Sequence, residues 1–382
     1  MEYNAVFEGG GVRGIAHVGA ACVLEEAGYR LGFFAGSSAG AIVASLLAAG
    51  YPARELKSIL MNLDFTQFLH ESGAARFGRL GKAASLFTRF GLYDADFFER
   101  WLSELLAKRG VRSFGTLALP SPRQDGVRWP LQVTACDVTD QRLLVLPEDL
   151  ADFGIDPDLF PVATAVRMSM SIPFFFRPFP LKDKRGRVHL IVDGSLLSSY
   201  PVWIFSERCL SPALPTIGFD FVGDRALPAV CRRKSWPEFF CYMAMVVATS
   251  MNAIDKQQAS VTGQAPVASI QIPVTVQTDE GTRRVSPIDF ELSDSEKRQL
   301  LENGAALFVP TPAPGRLLRF SLPGRAPSCP LPSGGMTRFL CVTPPDIPRL
   351  PIQSLPAGRQ SPAGGLCPLR TGISRCRQRS RG

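Results

Sequence analysis

The sequence predicts an α/β fold built on a mostly parallel sheet. Three observations carry that reading. The first 50 residues run strand, glycine turn, helix, strand, serine turn, helix. Both turns carry closely spaced glycines where a strand passes directly into a helix. The hydrophobic fraction of 46% is ordinary for a globular chain and supplies a core. Parallel strands need such helical crossovers, because a tight turn joins only antiparallel ones.

Taken in order, Tyr3 to Phe7 is a short apolar strand. Gly9-Gly10-Gly11-Val12-Arg13-Gly14 follows, then Ile15 to Ala27 at helical spacing, closed by Gly28. Leu31 to Ala35 is the second strand. It runs through Gly36-Ser37-Ser38-Ala39-Gly40 into a helix over Ala39 to Ala49, closed by Gly50. Residues 53–63 and 94–108 carry further helical patterns. The intervening stretch 71–91, rich in Gly, Arg and Phe, is expected to be a loop or cap. Leu131 to Ala135, Val188 to Val192 and Thr216 to Phe221 read as buried strands, the second ending at Asp193-Gly194. A long helix is expected over 237–259, and 286–308 reads as a loop followed by a charged helix from Ser293.

After Phe308 the composition changes abruptly. Residues 310–382 hold 14 of the 32 prolines, 11 arginines and one acid, Asp346, with no surviving period. Such a segment buries too little apolar surface to offset its ordering entropy. The expected organisation is therefore a domain over 1–309 and a disordered Pro/Arg/Gly-rich tail over 310–382. The tail holds the chain's positive charge; residues 1–309 carry 31 basic and 33 acidic side chains. That neutral balance argues against a nucleic-acid partner.

The nine cysteines show no C-x2-C spacing and suit a reducing compartment. Glu2 and Asn4 stand where a secretory leader needs basic residues. The longest apolar run, Phe239 to Ala248, is half of what spans a bilayer. The expected location is cytoplasmic or peripheral at a membrane.

Gly36-Ser37-Ser38-Ala39-Gly40 fits G-x-S-x-G, the sharp strand-to-helix turn that exposes a serine oxygen. Alone it is also an ordinary helix N-cap; its setting between a strand and a helix favours a nucleophile, Ser38. A serine needs a base. The chain has three histidines, His17, His70 and His189, and none has the setting of a triad histidine. A carboxylate close to the hydroxyl would serve instead. Asp193, ending a buried strand before Gly194, is the candidate, although Asp-Gly is also a common turn.

The glycine loop offers backbone N–H groups at a helix start, where an oxyanion can sit. Gly9-x-Gly11-x-x-Gly14 also matches a dinucleotide fingerprint, but that site needs an acid at the end of the second strand. Ala35-Gly36-Ser37 stands there. Arg13 either holds an anionic head group or is a solvated helix-start residue.

These motifs, in this order, resemble the patatin-like phospholipases, lipid acyl hydrolases with a Ser-Asp dyad. The likeness rests on the glycine loop Gly9 to Gly14, on Gly36 to Gly40, and on Asp193-Gly194-Ser195. The stretch Arg167 to Phe176 is also similar to the family's segment before its aspartate. The resemblance covers roughly 1–309. It implies a three-layer α/β/α fold and hydrolysis of carboxylic esters of lipids by Ser38 and Asp193. The oxyanion would be held by the glycine loop: Gly9, Gly10, Gly11, Val12, Arg13 and Gly14. Gly36, Ser37, Ala39 and Gly40 would shape the nucleophile turn, and Gly194 and Ser195 would flank the aspartate. It implies no metal or cofactor, and a lipid substrate met at a membrane surface. Ser195 departs from the family's Gly or Ala and adds bulk beside the carboxylate. A non-catalytic scaffold and, behind it, a dinucleotide-binding oxidoreductase are the alternatives.

Overall fold

The computed structural model describes residues 2–69, 78–120, 127–207, 214–222, 267–279 and 281–306, with short stretches between 242 and 250 and at 309–310 and 317–318. The strands are β1 (Glu2–Phe7), β2 (Arg30–Ser37), β3 (Gly91–Tyr93), β4 (Leu131–Asp137), β5 (Arg142–Leu146), β6 (Phe174–Phe176), β7 (Phe179–Lys182), β8 (Val188–Asp193), β9 (Thr216–Val222), β10 (Val267–Pro273), β11 (Thr275–Thr278) and β12 (Gly281–Arg284). The helices are α1 (Ile15–Glu26), α2 (Ala39–Ala48), α3 (Ala53–Asn62), α4 (Gly78–Arg89), α5 (Asp96–Lys108), α6 (Phe114–Leu117), α7 (Val162–Ser169), α8 (Ile204–Glu207) and α9 (Asp294–Ala305).

The central sheet is ordered β10-β9-β1-β2-β4-β8-β7, with β5 also on β4. From β10 to β4 the neighbours run parallel, as the crossovers predict. β8 is antiparallel to β4 and to β7. Alternate residues face opposite sides of a strand, and here both sides are covered. Ala5, Phe7 and Phe34 point into the larger core, with α1, α2, α3, α5 and α7. Val6, Phe33 and Ala35 point into a second core against Tyr200, Trp203 and Phe205. The architecture is three layers, with helices on both faces of a mostly parallel sheet.

The helix expected from Ser293 begins there, with Ser293 and Glu296 capping each other reciprocally. The expected loop over 71–91 is in part a helix: α4 occupies Gly78–Arg89 and leads into β3. Apolar residues do recur at helical spacing there (Leu80, Ala83, Ala84, Phe87), but Gly78 and Gly81, poor helix formers, interrupt the pattern. β5 and α7 were not anticipated. Most of the helix expected over 237–259 lies outside the described residues, as does His70. By compactness a first unit ends at Pro323. Within the expected tail, Val309–Pro310 pairs with Leu317–Leu318, and the rest lies outside the described residues.

Candidate active site

Register brings the two expected catalytic residues into one row of the sheet. Ser37, the last residue of β2, pairs with Thr134 of β4. Asp193, the last residue of β8, pairs with the adjacent Ala135. Because β8 runs against its neighbours, its C-terminal end comes down beside the top of β2. Ser38, one residue beyond β2, then donates its Oγ hydrogen to Asp193 Oδ2 at 2.6 Å. Both side chains are buried, Ser38 at 3% exposure and Asp193 at 0%.

The turn holding Ser38 is strained. Its φ is 51° and ψ −124°, a region that costs a non-glycine residue about 1–3 kcal/mol. The flanking glycines make the turn possible. A Cβ on Gly36 would lie 2.4 Å from the Gly40 carbonyl carbon, and one on Gly40 would lie 2.1 Å from the Phe7 oxygen. Ala39 opens α2, with its methyl against Gly14. The Ser38 N–H donates to Ser169 Oγ at 2.8 Å. Ser169 closes α7 and is fully buried.

Asp193 is anchored from both sides. Its N–H donates to the Ser171 carbonyl at 2.9 Å, and its Oδ1 accepts the Ser195 N–H at 2.8 Å. Burial pushes its carboxyl up to about 6, against the lowering effect of hydrogen bonds from Ser38 and Ser195. Gly194 packs on the Thr134 carbonyl. The Ser195 hydroxyl does not displace the carboxylate. It bonds the Ser37 hydroxyl at 3.0 Å and fills the space beside Gly9, where a Cβ would come within 2.0 Å of it.

The glycine loop passes over the same point. Gly9 N–H donates to the Ser199 carbonyl, Val12 N–H to the Pro287 carbonyl, and Arg13 N–H to the Gly10 carbonyl. Among the described residues, the N–H groups of Gly10 and Gly11 have no acceptor. Gly11 has φ +56°, and a Cβ there would meet the Pro287 oxygen at 1.8 Å, so only glycine fits. Arg13 is packed and half-buried, not a freely solvated helix-start residue. Its Nε donates to the Gly10 carbonyl at 3.1 Å and its guanidinium lies 5.1 Å from the Phe221 ring centre. Burial pushes it down to about 10, with Glu8 pulling the other way.

Neither described histidine is hydrogen-bonded to Ser38. His17 is buried, donates Nε2–H to the Glu8 carbonyl at 2.8 Å and stacks on Phe221 at 4.2 Å. Burial pushes it down to about 3, so the ring is neutral. His189 Nδ1 bonds Asp137 Oδ2 at 2.8 Å. His189, Asp137 and Asp140 offer ligand atoms within 4.8 Å of one another, a grouping that linear spacing did not show. In the structure they join each other, and Arg187 pairs with Asp140 at 2.7 Å.

Sequence reasoning missed five contributors. Ser169 lies inside the quoted 167–176 stretch, yet no spacing rule assigns a serine at a helix end to a backbone 131 residues away. Pro287 and Ser199 act through carbonyl groups, which any residue carries. Glu8 and Asp220 form a carboxyl pair behind the loop, Glu8 Oε2 accepting the Phe221 N–H. Burial and then Asp220 hold Glu8 well above the usual carboxylate range.

The chain is similar to several known proteins. A protein of Bacillus subtilis strain 168, the uncharacterized YqhO, is 42% identical over 214 residues, 56% of this chain and 70% of its own length. The uncharacterized R571 of Acanthamoeba polyphaga mimivirus is 22% identical over 307 residues, 79% of this chain and 90% of its own. The solved structure of VipD from Legionella pneumophila aligns at 18% identity with a TM-score of 0.40, over 79% of this chain and 65% of that one. The model of the patatin-like phospholipases matches residues 5–206, more than half of the chain and the whole span from the glycine loop through Ser38 to Asp193, and the chain belongs to that family.

Proposed function

We propose that the chain hydrolyses carboxylic esters of lipids, with Ser38 as nucleophile and Asp193 as its base. The observation that carries this is the 2.6 Å bond between Ser38 Oγ and Asp193 Oδ2, formed by residues 155 apart. Asp193 takes the hydroxyl proton as Ser38 Oγ attacks the acyl carbonyl. The resulting oxyanion is held by the N–H groups of Gly10 and Gly11, the two in the loop without an acceptor among the described residues. Collapse breaks the ester C–O bond, and the proton on Asp193 passes to the departing alkoxide. Water then gives its proton to Asp193, attacks the acyl-enzyme and releases the fatty acid, and the proton returns to Ser38.

The environment of Asp193 suits this task. A base pushed up to about 6 is ionised at neutral pH and still basic enough to accept a proton. The scaffold alternative drew on Ser195. Its hydroxyl is tied to Ser37 and leaves Oδ2 to Ser38, which favours the catalytic reading. The oxidoreductase alternative has no ribose-binding acid at the end of β2, where the serine turn stands. No described helix is long and apolar enough to cross a membrane.

The test is a panel of phospholipids and neutral glycerides, comparing wild type with Ser38→Ala. Release of fatty acid by the wild type and its loss in the variant is the expected result. Equal release by both would sink the assignment of Ser38.

A further inference from the structure

We propose that the corner where α4 turns into β3, carrying Phe87, Arg89 and Phe90, is the edge by which the domain seats on an anionic lipid surface. This rests on the lipid-ester reading above and names where the substrate surface would meet the protein.

The inner face of this corner is anchored. Ser85 and Leu86 are buried, and Ser85 Oγ donates to the Gly91 carbonyl at 2.8 Å. The outer face carries Phe87 at 76% and Phe90 at 51% exposure. Scattered exposed apolar residues are ordinary, but here two phenylalanines three apart are exposed at one corner. Phe90 adds a second anomaly. Its φ is 59°, the left-handed position that follows a helix end and normally takes glycine. A phenylalanine there is strained, and its ring is not buried in exchange. Neither the backbone nor the core accounts for that side chain.

Charge complements the apolar rings. From Ser72 to Tyr93 the sequence has four basic residues, Arg76, Arg79, Lys82 and Arg89, and no acid, whereas the rest of 1–309 carries 27 basic and 33 acidic side chains. Exposed aromatic rings without polar tips, with the exposed Arg89 between them in the chain, suit the boundary between acyl chains and anionic head groups.

The corner is also tied firmly to the site. β3 pairs with β6, Gly91 with Phe174 and Tyr93 with Phe176. Tyr93 packs on Phe175 at 4.8 Å, and Asp94 accepts from Arg177 at 2.9 Å. Buried Arg167 of α7 lies among Asp94, Asp96 and Glu99 at 3.9, 3.8 and 3.5 Å. Two residues further along α7 is Ser169, which holds the Ser38 N–H. A membrane met at this corner is therefore met at a fixed position relative to the nucleophile.

The test uses the full chain and vesicles of phosphatidylcholine with and without phosphatidylglycerol. Co-sedimentation should show wild type and Ser38→Ala binding the anionic vesicles alike, with affinity falling as salt rises. Phe87→Ser/Phe90→Ser should reduce binding by roughly tenfold or more, and Arg89→Glu should weaken it on anionic vesicles only. Lipid hydrolysis in vesicles should fall in step, while turnover of a soluble short-chain ester is unchanged. Phe90→Gly should raise Tm and lower binding. Equal vesicle binding by the double serine variant would overturn the proposal, as would a lower Tm for Phe90→Gly, or salt-independent binding by the wild type. A chain that binds vesicles as described but hydrolyses no ester would sink the lipid-ester reading and leave the docking edge standing.

Discussion

The hydroxyl of Ser169, at the end of α7, accepts the backbone N–H of Ser38 at 2.8 Å. Ser38 sits at φ 51°, so this N–H lies outside the hydrogen-bonding pattern of both β2 and α2. A buried N–H left without an acceptor costs about 1–3 kcal/mol, and among the described residues no other side chain accepts a backbone N–H of the turn. Ser169→Ala should lower kcat by roughly 10- to 100-fold with little change in KM, because it loosens the nucleophile and not the substrate site. Steady-state kinetics on a soluble ester checks this. A kcat equal to wild type would remove Ser169 from the positioning role.

Ser38→Ala and Asp193→Asn should each reduce ester turnover by about 10⁴-fold or more, and the double variant should be no worse than either single one. Groups that act as a unit do not add. His17→Gln and His189→Gln should keep most activity, since both rings bond elsewhere. A histidine variant as inactive as Ser38→Ala would overturn the dyad.

The pH profile follows from the buried carboxyl. With Asp193 pushed up to about 6, kcat/KM should rise about tenfold per pH unit below that value and level off above it. Stability should move the other way. The folded state holds the Asp193 proton more tightly than the unfolded chain, whose aspartates titrate near ~4. The stabilisation from that proton is complete below pH ~4 and is lost as pH rises through about 6. Asp193→Asn removes the penalty of a buried charge and should stabilise the fold by about 1–3 kcal/mol at pH 7–8, and by much less near pH 4. Denaturant titrations at the two pH values measure the difference. An equal gain at both would contradict the assignment of the shift to Asp193.

Gly9 and Ser195 share one space. A Cβ on Gly9 would meet Ser195 Oγ at 2.0 Å, with Ser38 Cβ next at 3.2 Å. Gly9→Ala should therefore impair both stability and turnover, and adding Ser195→Gly should restore a good part of each. Ser195→Gly alone should remain active. Thermal melts and ester kinetics on the three variants form a double-mutant cycle, and additive effects would deny the contact.

The parts of the site legible in the sequence are those whose chemistry is local. G-x-S-x-G between a strand and a helix specifies a turn within five residues, and the structure has that turn, with Gly36 and Gly40 where a Cβ would clash. The parallel half of the sheet was legible for the same reason, because each strand-helix-strand crossover sets the direction of the next strand. α4 escaped because Gly78 and Gly81 interrupt its apolar spacing and read as loop residues. β8 was seen as a strand but not as an antiparallel one, since strand direction leaves no trace in composition.

By itself the sequence determined the α/β class, the nucleophile turn, the glycine loop and, through the order of three motifs, the family. Only the tertiary structure decided that Asp193 meets Ser38, that Ser169 holds its N–H, that Arg13 packs onto Phe221, and which two loop N–H groups have no acceptor among the described residues. The physical reason is range. Turns and periods are set by neighbours along the chain, whereas a hydrogen bond between residues 131 or 155 apart depends on sheet register and on helices packed across it, which no short segment encodes.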